Sequence, residues 1–151
     1  MTMQEAQSED NEAMKARALQ IYERAWSEGR INDLEITFAH TIVRHEPPQP
    51  DVVGLDAYKQ HILALRAAFP DLTLQVIEAI SEGTTQAGRW VFQGTQTGPM
   101  PGIDAPPTGK HIEMTGLFFA HTVNDQIVEE WIYGDMMGLF QQLGLLPPME
   151  A

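Results

Sequence analysis

The chain has 151 residues, 43% of them hydrophobic, which is enough for one domain with one core and one pocket. Nine basic residues against 21 acidic ones give a formal net charge of −12, and this charge opposes binding to nucleic acid or to anionic lipid. No stretch reaches the roughly 18 apolar residues of a membrane span, and residues 1–10 lack the basic and apolar regions of a signal peptide. We therefore expect a cytoplasmic protein without nucleic-acid or membrane partners.

The N-terminal part of the chain predicts a disordered lead followed by two helices. Residues 1–10 are polar, acidic and aperiodic. After them, apolar side chains recur every three or four positions until a glycine ends the pattern, so the first helix is predicted over about 11–28. Asn32 followed by Glu35 has the spacing of an N-cap and its reciprocal partner, which predicts a short second helix ending near His40.

The middle of the chain predicts a short strand and a third helix. The segment 41–45 is β-branched and is followed by several prolines from Pro47 onward, which indicates a strand that leads into a loop. Gly54 and Asp56 open the third helix, and Pro70 ends it.

The C-terminal half predicts a sheet. Four strand-like segments lie at about 72–81, 87–97, 110–123 and 127–135, with tight turns at Glu82-Gly83 and Asn124-Asp125 and a longer loop at 98–109. Helices first and strands afterwards indicate an α+β fold, with a single domain over 11–151. A sheet of this kind curls into a cone under its own twist, and the helices can close its open side. A small-molecule pocket is expected between sheet and helices.

The last predicted strand ends at Asp135, immediately before a short apolar helix. Trp131, Tyr133 and Asp135 share one face of this strand, and Glu130 and Ile132 share the other. Parity alone does not decide which face is inside. An inward Asp135 beside two aromatic side chains is a candidate acid/base group, whereas an outward one would serve as the N-cap of the final helix.

Four sequence signatures carry a resemblance that covers roughly residues 12–147. They are Val43-Arg44-His45-Glu46-Pro47, Ala68-Phe69-Pro70-Asp71-Leu72, Gly94-Thr95-Gln96-Thr97-Gly98 with Pro107-Thr108-Gly109-Lys110, and the run from Glu129 to Pro147. In order and spacing these segments resemble the SnoaL-like polyketide cyclase family of the nuclear transport factor 2-like superfamily. That superfamily carries enzymes, binding proteins and scaffolds on one architecture.

The resemblance implies roles for several of these residues. In this family the acid/base aspartate follows the last strand, and Asp135 stands at that place. By the same resemblance His121 lines the pocket, and His45 lies at its mouth or in its wall. The alternative for His121 is a histidine near a sheet edge, and the alternative for His45 is a loop histidine in water. Tyr133 stands where related cyclases often carry a histidine. Its hydroxyl could donate to a developing enolate or could simply be packed with its hydrogen bond satisfied.

Strand parity assigns the remaining site candidates. Phe119 shares a face with His121 and, together with Trp131, is expected in the pocket wall. Trp90 is expected in the wall or the core, and Gln93 is a polar group that could orient a ligand. The chain has no cysteine and its histidines are not spaced as metal ligands, so neither a metal nor another cofactor is expected.

The resemblance implies a cofactor-free acid/base enzyme that binds a small hydrophobic carbonyl substrate, such as a polyketide-like chain, and closes a ring by an intramolecular aldol reaction. Isomerisation or hydration in the same pocket is one alternative, and a non-catalytic small-molecule-binding protein is another. Because related proteins commonly associate through the outer face of the sheet, a homodimer or homotetramer is expected.

Overall fold

The computed structural model describes residues 1–150 and contains three α-helices, one 3₁₀ helix and six strands. The helices are α1 (Met3–Glu28), the 3₁₀ helix (Ile31–Ile36), α2 (Leu55–Ala68) and α3 (Met136–Gln142). The strands are β1 (Phe38–His45), β2 (Val52–Val53), β3 (Thr73–Glu82), β4 (Thr85–Thr95), β5 (His111–Val123) and β6 (Gln126–Gly134). Within residues 1–150, no helix is long and apolar enough to cross a membrane.

All six strands form one mixed sheet in the order β2-β1-β6-β5-β4-β3. Strand β1 pairs with β6 in parallel, and the other neighbours are antiparallel. Register shifts occur within three of these pairings, and irregularities of this kind bend strands and increase their twist. The helices pack on one face of the sheet, so the predicted α+β fold, with N-terminal helices on a mixed sheet, is confirmed.

The tight turns confirm two predicted hairpins. Residues 83–84 join β3 to β4, and Asn124 and Asp125 join β5 to β6. Both residues of the second turn have positive φ values, 51° and 61°, which is the conformation of a type I′ hairpin and one that Asn and Asp tolerate well. The four predicted strands therefore lie close to their expected bounds.

Helix α1 begins much earlier than the sequence suggested. It starts at Met3, so most of the segment expected to be a disordered lead forms its first turns. A capping box stabilises this end: Glu5 N donates to Thr2 Oγ1 at 3.1 Å, and Thr2 N donates to Glu5 Oε2 at 2.7 Å. The other end agrees with prediction, because Gly29 has a φ of 77° and terminates the helix.

The second predicted helix is a 3₁₀ helix without the expected cap. Its N-cap is Arg30, which makes no capping hydrogen bond. The side chains of Asn32 and Glu35 instead accept from Lys59 Nζ, at 3.3 and 2.8 Å. This tertiary contact replaces the local capping box, and β1 has already begun before His40.

The hydrophobic core lies between the helices and the inner face of the sheet. It joins α1, α2 and α3 to alternate residues of the strands. The largest fully buried side chains are Tyr58, Phe38, Phe69, Leu34, Ile42, Leu55, Ile62, Leu72, Ile112, Ile132 and Leu143. On β6, Glu130 and Ile132 are buried while Tyr133 is exposed. The face of β6 that carries Glu130 and Ile132 is therefore the inner one, a choice that strand parity alone could not make.

Candidate functional site

A cavity of about 60 Å³ lies inside the cone. Its walls are mainly aromatic and aliphatic, from α1, α2, α3, the inner face of the sheet and the loop after β4; they include Trp26, Phe69, Trp90, Phe92, Met100 and Leu139. One end is polar and is formed by Tyr22, Arg44, Glu46 and His61. Concave apolar walls with a few convergent polar groups are typical of small-molecule sites.

Arg44 organises the polar end. It extends inward from β1 and is 4% exposed. Its Nη1 donates to Glu130 Oε1 at 3.0 Å and to Tyr58 Oη at 3.2 Å, and its Nη2 donates to Glu46 Oε2 at 2.8 Å. One buried guanidinium therefore fixes two carboxylates, and only one of them, that of Glu46, lies in the cavity wall.

Burial and neighbouring charges set the protonation of this cluster. Burial by itself lowers the pKa of Arg44, because it disfavours the charged guanidinium. The interactions with Tyr58, Glu46 and Glu130 outweigh burial, so the pKa of Arg44 is raised. Burial, followed by the negative charge of Glu130, raises the pKa of Tyr22 to about 12. Both the guanidinium charge and the Tyr22 phenol proton are therefore retained at neutral pH.

His61 is neutral in the folded protein. Burial, with a further contribution from the positive charge of Arg44, lowers its pKa to about 4. The ring lies edge-on to Trp26, with centroids 6.0 Å apart, and Nε2 is 3.9 Å from Glu46 Oε2. A neutral imidazole can donate from one nitrogen and accept at the other, so His61 can exchange a proton beside this carboxylate.

Four nitrogen atoms around the cavity make no hydrogen bond within residues 1–150. They are Trp26 Nε1, Arg44 Nε, His61 Nε2 and Trp90 Nε1, all buried and all in cavity-lining residues. The indole and guanidinium nitrogens can only donate. An oxygen acceptor that reached these buried donors would be stabilised by them, most of all an oxygen that gains negative charge.

Asp135 does not line this cavity. It lies at the N-cap of α3, where Oδ1 accepts from Gly138 N at 2.9 Å, and its side chain is exposed. The capping alternative is therefore the observed geometry. The expectation that Asp135 points inward with Trp131 and Tyr133 was wrong, because the helices pack on the face of β6 that carries Glu130 and Ile132.

Four predicted site residues do come together, but on the outer face of the sheet. We call His45, Phe119, His121 and Trp131 the outer aromatic cluster. The Trp131 ring stacks on His45 at 5.3 Å and lies 5.2 Å from His121 and 5.9 Å from Phe119. Their expected place in the pocket is therefore corrected, since none of the four lines the cavity.

His45 in this cluster carries two carboxylate contacts. Its Nε2 lies 2.7 Å from Glu129 Oε2 and its Nδ1 lies 2.9 Å from Asp51 Oδ1. The hydrogen bond with Glu129, followed by that with Asp51, raises the His45 pKa. His45 thus ties the start of the proline-rich loop to β6 and is not the cavity-mouth residue that the resemblance implied.

The other candidates divide between the two faces. Trp90 is buried and lines the cavity, as predicted. Tyr133 is 59% exposed and Gln93 donates to Glu113 at 3.0 Å on the outer face, so neither reaches the cavity. No three His, Asp or Glu side chains in residues 1–150 are grouped so as to hold a metal ion.

The polar end of the cavity was missed at the sequence level. Arg44 and Glu46 flank His45, and strand parity places both on the face opposite to that of the histidine. His61 lies one turn after Tyr58 on α2, a spacing that shares a helix face and could have indicated an inward polar group. For Glu130 the sequence predicted only that it shares a strand face with Ile132, and no role in the site.

The fold is that of an α+β protein of the nuclear transport factor 2-like class, with a cavity between the sheet and the helices. Residues 16–143 match the SnoaL-like polyketide cyclase family, and the chain belongs to that family. No curated protein matches the sequence at a significant level.

Solved structures share this architecture over nearly the whole chain. TsrD from Streptomyces laurentii is 23% identical with a TM-score of 0.80, covering 89% of this chain and 97% of its own. IdmH from Streptomyces antibioticus, a candidate polyketide cyclase, is 27% identical with a TM-score of 0.71, covering 85% and 97%. AclR from Streptomyces galilaeus, a candidate hydroxylase, is 25% identical with a TM-score of 0.75, covering 91% and 85%.

Proposed function

We propose that this protein is a cofactor-free acid/base catalyst that enolises a small hydrophobic carbonyl substrate in the interior cavity and closes a ring by intramolecular aldol reaction. The observation that carries the proposal is the set of four buried nitrogens without protein partners, Trp26 Nε1, Arg44 Nε, His61 Nε2 and Trp90 Nε1, in residues that line the same cavity as Glu46. Family membership supports the same reaction class.

Glu46 is the proposed base. At the polar end Arg44 carries one positive charge, Glu46 and Glu130 carry two negative ones, and His61 is neutral. A proton transferred from substrate to Glu46 would move one negative charge from this carboxylate to the enolate oxygen, while Arg44 stays paired with Glu130. Charge balance matters here because effective dielectric constants inside proteins are well below that of water.

The reaction would proceed in two steps. Glu46 takes the proton from a carbon between two carbonyl groups, and the electron pair of that C–H bond becomes the enolate, whose oxygen accepts from Arg44 Nε and Trp26 Nε1. The enolate carbon then bonds to a second carbonyl carbon of the same substrate, and the resulting alkoxide takes the proton back from Glu46, directly or through His61. Apolar walls that hold the chain folded would contribute through orientation.

Two alternatives use the same cavity. Isomerisation or hydration would need the same carboxylate and a different substrate. A non-catalytic small-molecule-binding protein is favoured by one specific observation, namely that Asp135, the aspartate at the family's acid/base position, caps α3 outside the cavity.

The experiment compares two carboxylate variants on an enolisable substrate. Ketonisation of 1-phenylbutane-1,3-dione, diluted as its enol into buffer, is followed by its ultraviolet absorbance, and binding of the same compound is measured by calorimetry. Glu46→Gln should lose at least about 100-fold in rate, the usual scale for a general base, with little change in binding. Asp135→Asn is the matched control and should retain the rate.

The opposite pattern, with Asp135→Asn inactive and Glu46→Gln active, would overturn the assignment of the base. Tight binding without any protein-dependent turnover would favour the binding-protein alternative.

A further inference from the structure

The connection between β4 and β5 is much longer than the geometry of the sheet requires. Strands β4 and β5 are adjacent and antiparallel. The pairs β3–β4 and β5–β6 are also adjacent and antiparallel, and each of these two pairs is joined by a two-residue turn. Residues 96–110 join β4 to β5. Loops of this length without secondary structure are uncommon in compact domains and often act as covers over binding sites.

Gln96 fastens the two ends of this loop together. Its side chain is 2% exposed and uses both polar groups on the loop: Oε1 accepts from Thr108 N at 3.0 Å and Thr108 Oγ1 at 2.7 Å, and Nε2 donates to Gly98 O at 3.1 Å. The Gln96 amide is therefore fully engaged within the loop.

The middle of the loop is attached mainly through two apolar residues. Met100 is 7% exposed and forms part of the cavity wall, and Ile103 packs partly against the core. Pro101 also lines the cavity, but most of this residue is exposed to solvent. Gly102 and Asp104 are exposed and do not line the cavity. Few buried contacts and an exposed backbone are the features of segments that open at low free-energy cost.

The size of the cavity makes such opening necessary for a ring-sized ligand. A volume of about 60 Å³ corresponds to a few water molecules at roughly 10–15 Å³ each. The remaining walls belong to the hydrogen-bonded sheet, to packed helices and to the loop between β1 and β2, where Arg44 holds Glu46. The loop that carries Met100 is therefore the wall that moves most easily.

We propose that Met100 is the specificity-determining residue that limits the size of ligand admitted to the cavity, and that Gln96 is the positioning residue that holds Met100 in place. Only the identity of the ligand rests on the proposed function. The movement of the loop is independent of it and can be measured without a substrate.

The first experiment uses the absence of cysteine from the chain. Met100→Cys introduces a single thiol, and its rate of reaction with 5,5′-dithiobis(2-nitrobenzoic acid) reports opening of the loop. Adding Gln96→Ala should raise this rate at least about tenfold, and adding Thr108→Val, which removes one of the bonds, should raise it less.

A second thiol distinguishes opening of the loop from general loosening. Leu139 lines the same cavity from α3 and is 3% exposed. In Leu139→Cys the rate should be nearly unchanged by Gln96→Ala. Equal acceleration at both positions, or no acceleration at position 100, would overturn the role of Gln96.

The role of Met100 in size selection is tested by graded neutral diketones. Met100→Ala should tighten binding of 1,3-diphenylpropane-1,3-dione relative to pentane-2,4-dione by at least about tenfold, since a widened wall favours the larger compound. An unchanged ratio would overturn the size limit. If neither compound binds either protein, the carbonyl ligand of the proposed function is wrong, and the thiol rates alone decide whether the loop is a gate.

Discussion

Arg44 on β1 lies directly beside Glu130 on β6 in the parallel register, and their side chains form a buried ion pair with an Nη1–Oε1 distance of 3.0 Å. A buried charge without its partner is strongly unfavourable, so each residue requires the other. The pair fixes the direction of the guanidinium, whose Nη2 holds Glu46 in the cavity wall. The chemistry proposed for the cavity thus depends on a contact between residues that are far apart in the sequence.

The cap at α3 predicts a stability difference between two substitutions of Asp135. Asp135→Ala removes the acceptor for Gly138 N and should lower the free energy of unfolding by about 1 kcal/mol. Asp135→Asn keeps an acceptor oxygen and should stay close to wild type. Urea unfolding at pH 7 measures both, with the exposed Glu9→Ala as control. Equal losses in the two Asp135 variants would contradict capping by a hydrogen bond.

The buried neutral His61 predicts acid destabilisation. Its pKa is about 4 in the folded protein and near 6.5 when unfolded, so the unfolded state binds more protons between these values. Stability should therefore fall as the pH drops from about 6.5 to 4, by roughly 3 kcal/mol from this residue. Unfolding measured across that range should be less pH-dependent in His61→Gln.

His45 affects stability in a different pH range, so it does not obscure the acid destabilisation caused by His61. Its raised pKa means that its contribution to stability is complete below about 6.5 and is lost as the pH rises through the folded value. His40→Gln, at an exposed position, controls for the loss of an imidazole. An unchanged acid dependence in His61→Gln would contradict burial of a neutral imidazole.

The outer face of the sheet predicts self-association. Leu117 and Tyr133 are each 59% exposed and Phe119 is 44% exposed, on neighbouring strands β5 and β6. An apolar patch of this kind is typical of an interface. We expect a homodimer or homotetramer in sedimentation, with the double variant Leu117→Glu/Phe119→Glu shifted toward monomer. Ile36→Glu, with 52% exposure off the sheet, is the control. A monomeric wild-type protein would contradict this prediction.

Removal of metal ions should leave activity intact. The proposed base is a carboxylate, the chain has no thiolate, and residues 1–150 hold no cluster of three His, Asp or Glu ligands. Ketonisation of 1-phenylbutane-1,3-dione is therefore expected at an unchanged rate after dialysis against a strong chelator. Loss of activity that zinc or iron restores would contradict the acid/base account, and His45 and His121 would then be reconsidered as ligands.

Local patterns predicted the elements of the fold well. Helix α2, the four long strands and the Asn124-Asp125 turn follow from period, proline position and turn chemistry, which depend on neighbours in the sequence. The capping box predicted at Asn32 does not form, because the Glu35 side chain accepts a hydrogen bond from Lys59, which lies 24 residues further along the chain. The early start of α1 was not predicted because the capping box of Thr2 and Glu5 opens a segment that has no hydrophobic period.

The sequence by itself determined the order of elements, the fold class and the family, because these depend on local periodicity and on signatures that are contiguous in the chain. Only the tertiary structure decided which side of β6 is inside, and with it the place of Asp135 and the identity of the cavity residues. Strand parity is symmetric with respect to the two faces, so the choice depends on where the helices pack. In this protein that choice buries Arg44 and Glu130 together and leaves Trp131 and Tyr133 on the outer face.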